Sequence, residues 1–180
     1  MFTRLEAGAD WRRHTTHTTR VVAGSAALMY GSAAVISLVE GLTPGGASFA
    51  VVPGIAAGSI AVLTWLLGTR LSLRALAPLG PLGAALIAYA LTQTHGAGDG
   101  AVLSFWPVMW TSYFYGRRGA VGIVAWVAVV HALALRSMPL GVGYADRWID
   151  VIVVLGTTAA VINYLRTREE RLAADVPYSK

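Results

Sequence analysis

The chain has 180 residues, 56% hydrophobic and 13% charged, with a mean hydropathy of +0.60 and a formal charge of +5. A soluble domain carries about 25% charged residues, so this composition argues against a core surrounded by water. The absence of cysteine excludes a disulfide framework, an iron–sulfur cluster and any thiolate zinc site.

The first 20 residues are polar and are expected to form a cytoplasmic segment. His14 and His17 within it have HxxH spacing but no carboxylate partner set, so no metal is expected there. Val21–Val39 is 19 residues long, too long for a signal-peptide core of about 7–15, and further apolar runs follow it. An uncleaved first span, Val21–Leu42, is therefore expected, with Glu40 near its end. Five more runs follow: Phe49–Gly68, Ala75–Leu91 with Pro78 and Pro81, Ala101–Tyr115, Gly119–Leu135 and Trp148–Leu165. The fourth is short, about 22 Å against a hydrocarbon core of about 30 Å, and must recruit flanking residues. The expected fold is all-α: a compact six-transmembrane-helix bundle over residues 21–165, with residues 166–180 as a cytoplasmic helical exit and tail.

Lysine and arginine give the orientation. With the amino terminus inside, Arg4, Arg12, Arg13, Arg20, Arg70, Arg74, Arg117, Arg118, Arg166, Arg168, Arg171 and Lys180 are internal, and only Arg136 and Arg147 are external. That bias predicts a multi-pass inner-membrane protein with both termini in the cytoplasm and an even number of spans. Short connections at Thr43–Ser48, Thr69–Arg74, Thr94–Gly100 and Gly116–Arg118 make sequential spans antiparallel neighbours, giving three hairpins. Basic residues end apolar runs and form no patch interleaved with aromatics. The lipid bilayer, not nucleic acid, is the expected partner.

Several residues are candidates for a site. Gly54 and Gly58 form GxxxG, and Gly116, Gly119 and Gly122 recur at the entry to the fifth span; such residues serve either a homodimer interface or packing inside one bundle. Pro107, inside the fourth span between Trp106 and Trp110, could kink it into an aromatic-lined pocket. Charges at membrane depth are informative: Glu40, His95, Asp99, Arg136, Asp146, Arg147 and Asp150 fall near the outer face. Asp150 is placed to pair with Arg136, and His131 is the one histidine inside a span, suited either to proton sensing or to a neutral hydrogen bond. No phosphate loop, HExxH or GxSxG occurs, so no catalytic residue and no cofactor is expected. Val161–Leu172 runs without a breaker from the last span into charged helix formers, with Arg166 and Glu170 at i,i+4 spacing.

The run FWPVMWTSYFYGRR (Phe105–Arg118), the HALAL of the next span and the exit VINYLRTREERL (Val161–Leu172) resemble the six-span amino-terminal region of actinobacterial diguanylate cyclases. The turn Gly68–Arg74 fits as well, and the likeness covers roughly residues 20–172. The resemblance implies a last span that continues into a signalling helix, ahead of a GGDEF domain that makes cyclic-di-GMP. Similar six-span modules precede phosphatase domains. Where the family opens its catalytic domain, these residues read AADVPYSK, and no GGDEF signature occurs, so no nucleotide or metal site carries over. A portion of a longer signalling protein and a stand-alone module are the two alternatives. The expected function is a non-catalytic membrane sensor or regulator with a homodimeric or cytoplasmic signalling partner. A small-solute or ion transporter or channel is one alternative, and a structural subunit of a larger membrane complex is another.

Overall fold

The computed structural model describes residues 3–42, 51–93, 102–137 and 144–174, with side chains for 18–42, 51–92, 102–137 and 145–172. The expected outer turns Thr43–Ser48 and Thr94–Gly100, the side chains of His14 and His17, and the tail from Asp175 lie outside the described residues. The described residues form helices and turns and no strand: α1 (Thr3–Leu42), α2 (Val51–Leu67), a 3₁₀ turn (Gly68–Arg70), α3 (Leu73–Leu76), α4 (Leu79–Gln93), α5 (Phe105–Arg136) and α6 (Tyr144–Ala174). Among the described residues, five segments are long and apolar enough to cross a membrane: Thr18–Leu42, Val51–Arg70, Leu73–Thr92, Val102–Arg136 and Ala145–Leu172. The chain divides into two units, Met1–Leu79 and Gly80–Lys180.

In the first unit α1 and α2 form a hairpin. The buried face of α1 is Val22, Ala23, Ala26, Ala27 and Tyr30, and that of α2 is Pro53, Gly54, Ala57 and Thr64, each repeating at helical spacing. Measured from where a Cβ would stand on each glycine, Gly41 lies 3.6 Å from Val51 Cγ2, Gly54 2.8 Å from Ser37 Cβ and Gly58 3.5 Å from Ala34 Cβ. Gly31 lies 3.9 Å from Ala61 Cβ and Gly68 2.4 Å from Ala23 Cβ. As α1 ascends in number its partner on α2 descends, as an antiparallel pair requires. Large apolar side chains point outward instead: Leu28, Val35, Leu38, Ile55, Val62, Leu63, Trp65 and Leu66 are all exposed.

The hairpin is followed by a capped turn. Leu71 donates its N–H to the Gly68 carbonyl at 3.2 Å, and the Ser72 hydroxyl caps α3 by accepting the Ala75 N–H at 3.2 Å. The third apolar run, expected as one helix from Ala75, is interrupted at Ala77 and Pro78. Proline has no N–H for the Arg74 carbonyl, and Ala77 donates to that oxygen instead, three residues on, at 3.3 Å. Buried Tyr30 donates its hydroxyl to the Leu79 carbonyl, tying α1 to the end of this turn.

In the second unit, Ala84 of α4, Val108, Ala120, Ile123 and Val127 of α5, and Leu155 and Ala159 of α6 form one core. Ala88, Leu91 and Ala134 form another, flanked by Ile87 and Val130. Helix α5 is not straight. Gly116 has φ 62° and ψ −154°, a region almost restricted to glycine. The Thr111 carbonyl oxygen comes within 2.9 Å of a Cβ built on Gly119. Eight residues of straight helix would separate these positions by about 12 Å, so the chain folds back at Gly116. A first arm, 105–115, and a second arm, 117–136, therefore pack on each other, and Val108 meets Ala120 in the core.

Three polar anchors hold the arms. Trp126 Nε1 donates to the Pro81 carbonyl at 2.9 Å, and Trp148 Nε1 donates to the Ala128 carbonyl at 2.9 Å. The third, Arg166, belongs to the site described below. Gly80 packs so close to the first arm that a Cβ would stand 2.0 Å from Thr111 Oγ1.

These contacts separate the glycines by function. Gly68→Ala and Gly80→Ala are expected to destabilise by about 1–3 kcal/mol through overpacking. Gly122→Ala, with nothing within 4 Å of its Cβ position, is expected to be neutral or to stabilise by up to about 1 kcal/mol through helix propensity. Thermal unfolding of the three variants in mild detergent, followed by circular dichroism, checks the order; equal midpoints would refute it.

Candidate functional site

The best-built polar constellation among the described residues sits where the first arm of α5 ends. Reversal at Gly116 leaves the last carbonyls of that arm without the N–H partners a continuing helix would supply. Arg166, projecting from α6, fills part of that gap by donating from Nη1 to the Tyr113 carbonyl at 2.8 Å. Its Nε donates to Glu170 Oε1 at 2.9 Å, the i,i+4 pair expected from the spacing. A Cβ on Gly116 would lie 3.0 Å from Arg166 Nη1, so the guanidinium lies directly against the turn.

Each part has a physical reason. The guanidinium is a planar fork that can serve a carbonyl and a carboxylate together, which an ammonium cannot do with the same geometry. A cation at a helix C-terminus also meets the negative end of the helix dipole. Glu170 is 61% exposed and Arg166 33%, so the ion pair alone contributes little, about 0.2–1 kcal/mol after solvent screening. The bond to the carbonyl matters more, because it joins segments 53 residues apart. Along the same helix, Thr158, Asn163 and Thr167 satisfy their side chains on carbonyls four residues earlier, leaving α6 unbroken through the exit.

The other sequence candidates are dispersed. Pro107 does not kink its span: α5 begins at Phe105, so Pro107 occupies the first turn, where its missing N–H would be unpaired in any case. The break lies at Gly116 instead. Trp110 is buried and packs on Phe114 and Tyr115, each at 5.6 Å between ring centroids, while Trp106 is partly buried. His131 is buried on the core face of the second arm, beside the positions of Val127 and Ala134. Trp110 stands six residues from Gly116 and His131 fifteen, an axial offset of about 14 Å between them along the two arms. Arg136 and Asp150 are both exposed and, among the described residues, form no ion pair with each other. Asp150 lies exposed in the second turn of a helix that starts at Tyr144.

Among the glycines, Gly54 and Gly58 face α1 within the chain, and Gly119 packs on Thr111 and Tyr115 across the turn. Gly122 faces open space. His95 and Asp99 lie outside the described residues. Thr111 and Ser112, buried with hydroxyls that lack a partner, escape a sequence reading because nothing in the local pattern marks them. The acceptor of Arg166 escapes it too, since a backbone carbonyl has no sequence signature. Among the described residues, no group of three His, Asp or Glu side chains could hold a metal ion.

Comparison with protein families, with curated proteins and with solved structures gives no match.

The geometry separates the two bonds of Arg166. Arg166→Gln is expected to lower stability by about 1.5–3 kcal/mol, as for a hydrogen bond with a charged partner, while Glu170→Gln should change it by under about 1 kcal/mol. Limited proteolysis at Arg117 and Arg118 should accelerate only in the Arg166 variant. Equal sensitivity in both variants would show that the carbonyl bond does not hold the turn.

Proposed function

We propose that the chain is a multi-pass module of the bacterial inner membrane with six spans and both termini cytoplasmic. It senses a ligand, a lipid or a membrane state and relays it, without catalysis in these residues, through the end of α6. In the cyclase-like reading of the sequence, its output is cyclic-di-GMP signalling.

Support for the membrane placement comes from the distribution of side-chain size. In the α1–α2 hairpin the buried faces are mostly Ala, Gly and Thr, while Leu28, Leu38, Ile55, Val62, Leu63, Trp65 and Leu66 point outward. A surface like that is unfavourable in water but suits hydrocarbon, where small residues serve helix contact. Support for six spans comes from Gly116, whose reversal divides the 35-residue apolar segment Val102–Arg136 into two arms. Support for the orientation comes from each unit by itself. Close packing of Gly68 on Ala23 brings exposed Arg20 and Arg70 to one end of the first, and the Arg166–Tyr113 bond brings Arg117, Arg118 and Arg166 to one end of the second.

The observation that carries the relay is the length of α6. Its 31 residues extend about 46 Å, against a hydrocarbon core of about 30 Å, and it leaves the apolar zone at the residue that grips the Gly116 turn. Movement of the turn is thereby coupled to movement of the exit helix.

Two experiments test this. Since the sequence lacks cysteine, single introduced cysteines report topology directly. Ser72→Cys and Ser179→Cys are expected to be shielded from a membrane-impermeant maleimide in intact cells, and Ser48→Cys and Ser137→Cys to be labelled. External labelling of Ser179→Cys would give an odd number of spans and overturn the topology. For the relay, deleting residues 166–180 is expected to change cellular cyclic-di-GMP relative to the full chain in a host that contains diguanylate cyclases. Identical levels at equal expression would count against the signalling role.

A further inference from the structure

Two apolar-to-charged boundaries meet in the second unit, and the one on α5 is purely cationic. On α5, exposed Tyr113 is followed four and five residues later by exposed Arg117 and Arg118. On α6, exposed Val161, Tyr164 and Leu165 lead into Arg166 and then a charged stretch of exposed Arg168, Glu169, Glu170 and Arg171. The bond from Arg166 to the Tyr113 carbonyl fixes both boundaries at one height. Arg166 is occupied by that carbonyl and by Glu170. Arg117 and Arg118 make no ion pair among the described residues, so their charge faces outward from the rim.

We infer that this rim binds the headgroups of anionic phospholipids. This rests on the membrane-spanning reading given above. Phosphodiester oxygens accept hydrogen bonds from the guanidinium groups of Arg117 and Arg118, and the acyl chains lie along Tyr113, Tyr164 and Leu165. Guanidinium matches phosphate by a pair of parallel donors, and juxtamembrane arginines attract anionic leaflets. A lipid fits the rim better than a free phosphate ion because exposed apolar side chains lie immediately beside the cations. A soluble anion would leave those side chains uncovered.

The test uses the full chain in vesicles of mixed phosphatidylcholine and phosphatidylglycerol, with association of spin-labelled lipids read by electron paramagnetic resonance. A preference for phosphatidylglycerol is expected, and Arg117→Gln with Arg118→Gln should reduce it by about fivefold or more. The paired Arg→Lys variants keep the charge and should retain most of it. Arg147→Gln, which lies outside the rim, should leave it unchanged. An inserted protein without the preference, or a preference unaffected by the double Gln variant, would overturn the inference while leaving the membrane reading intact. Displacement of the lipid by inorganic phosphate would overturn the assignment to lipid. A chain stripped from the vesicles by alkaline carbonate would remove the membrane-spanning reading and the inference together.

Discussion

Hydrocarbon supplies no hydrophobic force between apolar helices, so in the proposed membrane setting helix contact depends on how closely two backbones can approach. Dispersion falls off steeply with distance, and a gap of about 1 Å forfeits much of it. Small residues where α1 meets α2 and the 3₁₀ turn, at Gly31, Gly54, Gly58 and Gly68 opposite Ala61, Ser37, Ala34 and Ala23, provide that approach along the hairpin. Gly80 on Thr111 and Gly119 on Thr111 and Tyr115 do the same in the second unit. Directional hydrogen bonds then fix what close packing leaves free to slide. Trp126 to Pro81, Trp148 to Ala128 and Arg166 to Tyr113 each set the height of one segment against another.

Much of the helical layout was legible in the sequence because apolar run length is a strong signal. The run expected at Val21–Leu42 corresponds to the observed apolar segment Thr18–Leu42, Phe49–Gly68 to Val51–Arg70, and Trp148–Leu165 to Ala145–Leu172. A break near Gly116–Arg118 was legible from one glycine and two arginines between apolar runs, although only Gly116, with φ 62°, leaves helical geometry. Less visible was the helical character of residues 3–20, whose polar composition reads as a soluble segment while the backbone continues into α1 without a break. Pro107 misled for a positional reason: the same residue that kinks a helix interior is harmless in a first turn, and the start at Phe105 is not marked by a strong cap.

The candidate site was half legible. Spacing pointed to Arg166 and Glu170, but not to the carbonyl that gives Arg166 its structural consequence. Ordinary helix spacing relates residues three or four apart, whereas Tyr113 and Arg166 are 53 residues apart and meet only once the arms have packed. Trp110 and His131, two separate candidates in the sequence, are kept apart for the complementary reason. Proximity of Trp110 and His131 would need the two arms in a different register from the one the turn at Gly116 imposes.

An unbroken helix gripped near one point acts as a lever with a fulcrum. Beyond Arg166, α6 continues eight residues to Ala174, an arm of about 12 Å. A tilt of roughly 10° about the grip displaces the end of that arm by about 2 Å, comparable with the small helix shifts that switch packed interfaces. Helix α1 has a longer arm: from Thr18 back to Thr3 it extends about 22 Å, and the same tilt moves its end by about 4 Å. In the proposed relay, the stiffness of these two helices would carry ångström-scale repacking between the spans out to their ends.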